Sequence, residues 1–198
     1  MNLLIDALPN KVDDCEIRTD FRVWLRVNAV IENVVSEKLI ERDYFIKTMD
    51  DLGDLIFLEW PDFYTIDVFR GILDFLSCKD AAQFNLDKSA KTASNPSDIA
   101  FDMAFDSGAI YASFLQQYQL DLRKVKQLHW YEFNVLLQNL TDETPLQNRI
   151  KLRRLKASDV PKEKLNDLKR VQSLYRVPIS EVEQARKTVL TEFLKGGK

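Results

Sequence analysis

The residues able to do chemistry in this chain are few and scattered. His129 is the only histidine. A histidine-based metal site needs further ligands at coordinating spacing, and none accompanies it. Any Ser or Cys nucleophile would have His129 as its sole base. Beside Trp130, it reads as a packed or half-exposed core histidine. Cys15 and Cys78 lie far apart, form no C-x-x-C and have no neighbourhood that would depress a thiol pKa. That usage suits small apolar fillers in a reducing compartment. Asp98, Asp102 and Asp106 recur every four residues, but a calcium loop needs oxygens on alternate residues, a central glycine and a terminal Glu. Caps and a solvated acidic face are the expectation for these three. No phosphate-binding or dinucleotide-binding glycine motif occurs, and nothing selects one carboxylate pair among 31 acids. The sequence therefore nominates no catalytic residue, no metal ligand and no cofactor. An enzyme is not expected.

Charge says more about surfaces. The net charge is −3 over 198 residues. Residues 1–62 hold fourteen acids and seven bases, whereas residues 149–176 hold ten bases and three acids. The plain reading of the basic stretch is a pair of solvated helices. Tyr175 is its one aromatic, which disfavours a nucleic-acid stacking platform. The N-terminus lacks the basic region and apolar run of a signal peptide, and no window approaches the ~18 apolar residues of a membrane span. The expected setting is the cytosol, with no membrane partner.

The elements that must position these residues are helical. Five glycines and six prolines leave little material for the turns of an all-β fold. Residues 3–18 read as an extended or hairpin entry, and Thr19 or Asp20 as an N-cap. Phe21, Trp24, Asn28, Ile31 and Val35 then form one helical stripe, broadened by Val23, Val27, Val30 and Val34. A short helix is expected near 38–50, with 53–60 ambiguous. A core helix follows from Trp60-Pro61-Asp62, with Asp62 or Thr65 as cap. Its leading face is Ile66, Phe69, Leu73 and Leu76, widened by Val68, Ile72 and Phe75. Residues 85–98 are small, polar and aperiodic, and read as a flexible linker. Further helices are expected at 107–119, 124–140, 144–156, 161–176 and 179–194, with Pro145 in a first turn. The resulting fold class is all-α: a compact multi-helix bundle with a short extended or hairpin entry before Thr19. A core domain over 1–157 and a C-terminal helical appendage over 158–198 are expected.

Particular residues go beyond periodicity. Thr19-Asp20-Phe21-Arg22 with Trp24, then Asp106, Ile110-Tyr111-Ala112-Ser113-Phe114 with Tyr118, then Leu128-His129-Trp130 with Phe133, resemble the bacteriophage gp-fifteen family. That family comes from tailed phages and prophages of low-GC Gram-positive bacteria. The resemblance covers most of residues 3–155. One departure is that Gln119-Leu120 stands where a turn glycine would be expected; another is a shorter entry before Thr19. The motif residues read as core or as partner contacts.

The resemblance implies a gene between those for the tail tube and the tape measure, where tail assembly chaperones are encoded. The function it implies is a chaperone that binds the tape-measure protein during long-tail morphogenesis. The tail-tube protein is a further candidate partner and homo-oligomerisation is left open. The alternative is a structural connector or completion protein of tail or neck. A third reading is a nucleic-acid-associated factor using the 149–176 bases.

Overall fold

A computed structural model of the chain describes residues 2–36, 42–59, 66–79 and 100–177. The entry is a minimal hairpin. Strands β1 (Lys11–Val12) and β2 (Cys15–Glu16) pair antiparallel, with Val12 opposite Cys15. Asp13 makes the turn from the left-handed region at φ 53°. Beyond β2, Ile17 bridges Phe57. Everything else named in the described residues is helical, as the sparse glycine and proline predict.

Helix α1 spans Phe21–Ser36 and buries Phe21, Trp24, Val27 and Ile31. Phe21, Trp24 and Ile31 of the expected stripe and Val27 from its broadened edge are the residues that face the core, while Asn28 bonds Glu32 at 2.8 Å. Helix α2 spans Arg42–Ile56 and packs on α1. It runs past the expected end at 50, through Gly53, because Leu52 and Ile56 continue the buried stripe begun at Met49. Arg18 closes it, its guanidinium donating to the Asp54 carbonyl at 3.1 Å and also to that of Phe57. A cation on the last carbonyls of a helix satisfies orphan acceptors and complements the dipole.

Helix α3 spans Ile66–Leu76. Val68, Ile72 and Phe75 are its buried face, whereas Phe69, Leu73 and Leu76 are half-buried. The face expected to widen the stripe is thus the one that leads it. Gly71 lies against β1, where an added Cβ would stand 2.8 Å from Val12 Cγ1. The caps expected at Asp62 or Thr65, the 85–98 linker and the 179–194 helix lie outside the described residues.

Helix α4 spans Ser107–Tyr118 and α5 spans Trp130–Gln138. The latter begins later than the expected 124, because Asp121 closes a lone turn instead. The Lys124 and Val125 amides reach its carbonyl and the Arg123 amide reaches its side chain at 3.0 Å. Helix α6 spans Pro145–Arg154, with Thr144 at its N-cap position and Pro145 at the first turn as expected. Exposed 3₁₀ turns at Ala157–Asp159 and Lys162–Lys164 lead into α7, Leu165–Tyr175. No α7 residue is fully buried, but Gln172 Nε2 donates to the carbonyls of Leu152 and Leu155 at 3.0 and 2.9 Å.

Two compact units result. One combines residues 1–86 with 126–136, the other 87–125 with 137–198. Among the described residues the chain passes from one to the other after Val125 and again inside α5.

Candidate functional site

The motif residues separate into two clusters, one in each unit. In the first, the segment 19–21 runs antiparallel to 128–130. Phe21 N–H bonds the Leu128 carbonyl at 2.9 Å, and Trp130 N–H bonds the Thr19 carbonyl at 2.8 Å. Asp20 and His129 are the paired residues between them. Each then caps its own helix. Asp20 Oδ1 accepts the Arg22 amide at 3.0 Å, and Oδ2 accepts Arg22 Nη1 at 3.0 Å. His129 Nδ1 accepts the Tyr131 amide at 3.1 Å, while Glu132 reaches back to the His129 amide at 3.1 Å. This is a capping box with imidazole in the place of a hydroxyl.

An accepting Nδ1 requires the other nitrogen to carry the proton. His129 Nε2 accordingly donates to the Pro9 carbonyl at 2.9 Å. Burial pushes the imidazole below its ordinary pKa, against the opposing pull of that carbonyl and of Glu132. Both ring nitrogens are therefore committed to backbone groups.

The aromatics of this cluster are core. Phe21 stacks on Phe133 at 4.8 Å, and Trp24 meets Phe75 at a tilt of 32° with centroids 4.2 Å apart. Trp24 Nε1 donates to the Arg18 carbonyl at 2.8 Å and Trp130 Nε1 to that of Leu76 at 2.9 Å, so neither indole is buried unpaired.

In the second unit, Ile110 and Phe114 are buried, and Tyr118 lies edge-on to Phe114 at 5.7 Å. The Tyr111 hydroxyl donates to Asp121 at 3.2 Å. Ser113, fully buried, donates to the Ala109 carbonyl at 2.7 Å and accepts the Leu146 amide at 3.0 Å. A residue of α4 thereby satisfies an orphan amide at the start of α6.

Asp106 overturns the expectation of a solvated acidic face. Its side chain is 0% exposed. It accepts Arg153 Nη1 at 2.7 Å on Oδ2 and Nη2 at 2.8 Å on Oδ1, with Arg149 at 3.1 Å and the Asp102 amide at 3.1 Å. Burial pushes the carboxyl up, but the two arginines and that amide hold it below the ordinary carboxylate value. Arg153 donates further from Nε to the Tyr175 carbonyl at 2.6 Å and from Nη1 to that of Ala100 at 3.0 Å. The expected solvated basic surface is thus wrong at this position. Arg153 follows Leu146 and Ile150 on the buried stripe of α6, three and four residues apart, and that spacing was the signal in the sequence that could have found it.

What remains for chemistry is limited. The Cys78 thiol is fully buried, and burial pushes its pKa up to about 12. Cys15 is half-buried and free. Among the described residues no group of three or more His, Cys, Asp or Glu is placed to hold a metal ion, and no helix is long and apolar enough to cross a membrane. The polar groups gathered by the motifs cap helices, close a short ladder and pair buried charge.

No curated protein and no solved structure matches the chain. The family model described as Bacteriophage Gp15 protein matches residues 2–177, a span that contains both motif clusters and the Asp106–Arg153 pair. On that match the chain belongs to the Bacteriophage Gp15 protein family and is a phage structural or morphogenesis protein.

Proposed function

We propose that this chain is a tail assembly chaperone, a binding protein without catalytic activity that engages the tape-measure protein in the host cytoplasm during long-tail morphogenesis. The observation that carries the reading is family membership over residues 2–177. The engagement of both His129 nitrogens and of the Asp106 carboxylate with structural partners is in keeping with it.

The contact face we assign is the outer side of α4. From Ser107 to Leu120 there is no charged residue, in a chain that is 30% charged. Leu115 is 45% exposed there and Phe105 just before it 38%. A Cβ built on Gly108 meets nothing within 4 Å. A charge-free helix surface with apolar points and no bulk near its N-terminal end suits an amphipathic partner helix.

Co-expression with the phage's own tape-measure protein tests this. The chain should co-purify with it and raise its soluble yield, and Leu115→Asp should lose both effects while keeping its helical spectrum. Stoichiometric copies in mature virions, or normal tails after deletion of the gene, would instead identify a structural connector.

A further inference from the structure

We propose that this protein self-associates head to tail, the acidic C-terminal end of α2 in one copy docking on the basic surface of α7 in the next. The charges at the end of α2 oppose their own helix. Residues 50–59 hold four acids and no base, and Asp50, Asp51 and Asp54 occupy the last two turns of α2. The C-terminal end of a helix carries partial negative charge, so carboxylates there weaken the helix. Arg18 offsets some of this, but its guanidinium is spent on carbonyl oxygens.

The stretch through α7 has the complementary sign. At its entry Lys162 and Lys164 are balanced by Glu163 and by Asp167 in the first turn. Over residues 162–176 as a whole, five bases stand against those two acids, and the surplus lies at Lys169, Arg170 and Arg176.

The two faces complement each other. Asp50, Asp54, Glu59, Lys162, Lys169 and Arg170 are exposed, and none has an ionic partner among the described residues. Each face also presents apolar surface: Leu58 at 54% and Ile46 at 46% exposure beside the acids, and Leu174 at 70% beside the bases. Bringing one face onto the other sets a negative helix end against a basic surface and covers these side chains together. The second copy is the occupant this complementarity selects, because one chain carries both halves. The contact uses two different surfaces, so it repeats without closing on itself unless the rotation happens to complete a ring. Exposed ion pairs contribute little singly, so the association should be weak and sensitive to salt.

Analytical ultracentrifugation of the full chain tests it. The wild type should assemble at about 50 mM salt, with an apparent Kd at least about tenfold weaker at about 0.5 M. The variant Asp50→Lys/Asp54→Lys/Glu59→Lys should be monomeric, as should Lys162→Glu/Lys169→Glu/Arg170→Glu, each with a far-UV spectrum matching wild type. An equimolar mixture of the two should assemble again, since each reversed face then meets its complement. Should either triple variant unfold, the neutral pair Asp50→Asn/Asp54→Asn takes its place and should weaken assembly relative to wild type. A wild type monomeric at every salt concentration, assembly that persists in either triple variant, or a mixture that stays monomeric overturns the proposal. A monomer whose basic face shifts only on adding an oligonucleotide overturns it in favour of nucleic acid.

Discussion

Asp106 and Arg153, 47 residues apart in sequence, meet as a two-pronged ion pair at 2.7 and 2.8 Å in the interior of the second unit. The guanidinium carries on to the Ala100 and Tyr175 carbonyls. One side chain of α6 thus ties the approach to α4 and the end of α7 to a single point. A buried pair of this kind is strongly coupled. Removing one partner leaves an uncompensated charge and typically costs about 3–5 kcal/mol. Arg153→Met and Asp106→Asn should each lose roughly that much in urea denaturation, and the double variant should lose clearly less than the sum.

The same carboxylate sets an acid limit. Its pKa is lower folded than unfolded, so its contribution is present above the ordinary value of about 3.9 and is lost as pH falls through the lower folded value. Acid unfolding of wild type should therefore steepen below about pH 4, and Asp106→Asn should flatten that limb. Circular dichroism across an acid titration reads both.

His129 acts in a separate window. Its folded pKa is also depressed, so stability is complete above about 6.5 and declines as pH falls toward the folded value. Protonation removes the acceptor that caps α5 and places positive charge at a helix N-terminus. Denaturation midpoints should fall between about pH 7 and 5.5 in wild type. His129→Asn keeps an acceptor for the Tyr131 amide and should abolish that slope. His129→Ala should cost about 1–2 kcal/mol at neutral pH through loss of the cap.

Gln119 ends α4 in the left-handed region at φ 53°, its amide bonded to the Phe114 carbonyl. A side chain there costs about 1–2 kcal/mol that glycine avoids, while glycine gives back part of this as unfolded-chain entropy. Gln119→Gly should raise stability by roughly 0.5–1 kcal/mol, visible as a higher Tm. A lower Tm would show that the Gln119 side chain holds the turn in some other way.

Trp130 is 2% exposed and its indole bonds the Leu76 carbonyl. Trp130→Ala should cost about 3–5 kcal/mol. Trp130→Phe retains much of the volume but orphans the carbonyl and should cost about 1–3 kcal/mol. Equal losses for the two would mean that the hydrogen bond, not packing, dominates at this position.

Much of this architecture is legible in the residues themselves. Phe21, Trp24 and Ile31 recur at helical spacing and do line the core. Thr144-Pro145 opens α6, and the small entry with Val12 and Cys15 is a hairpin. These features depend on the backbone and its near neighbours, and hydrophobic period, caps and turn residues report on neighbours within a few positions. The pairing of Asp20 with His129 and the burial of Asp106 under Arg153 are of another kind. Whether an aspartate is solvated or buried depends on which side chain a distant segment delivers to it, and a period of three or four residues is silent about that. The late start of α5 follows the same logic, because its first residue is set by the ladder between residues 19–21 and 128–130. The sequence by itself determined that the chain is helical and where most stripes run. Only the tertiary structure decided which polar residues are interior, because the cost of burying a charge is met by partners far along the chain.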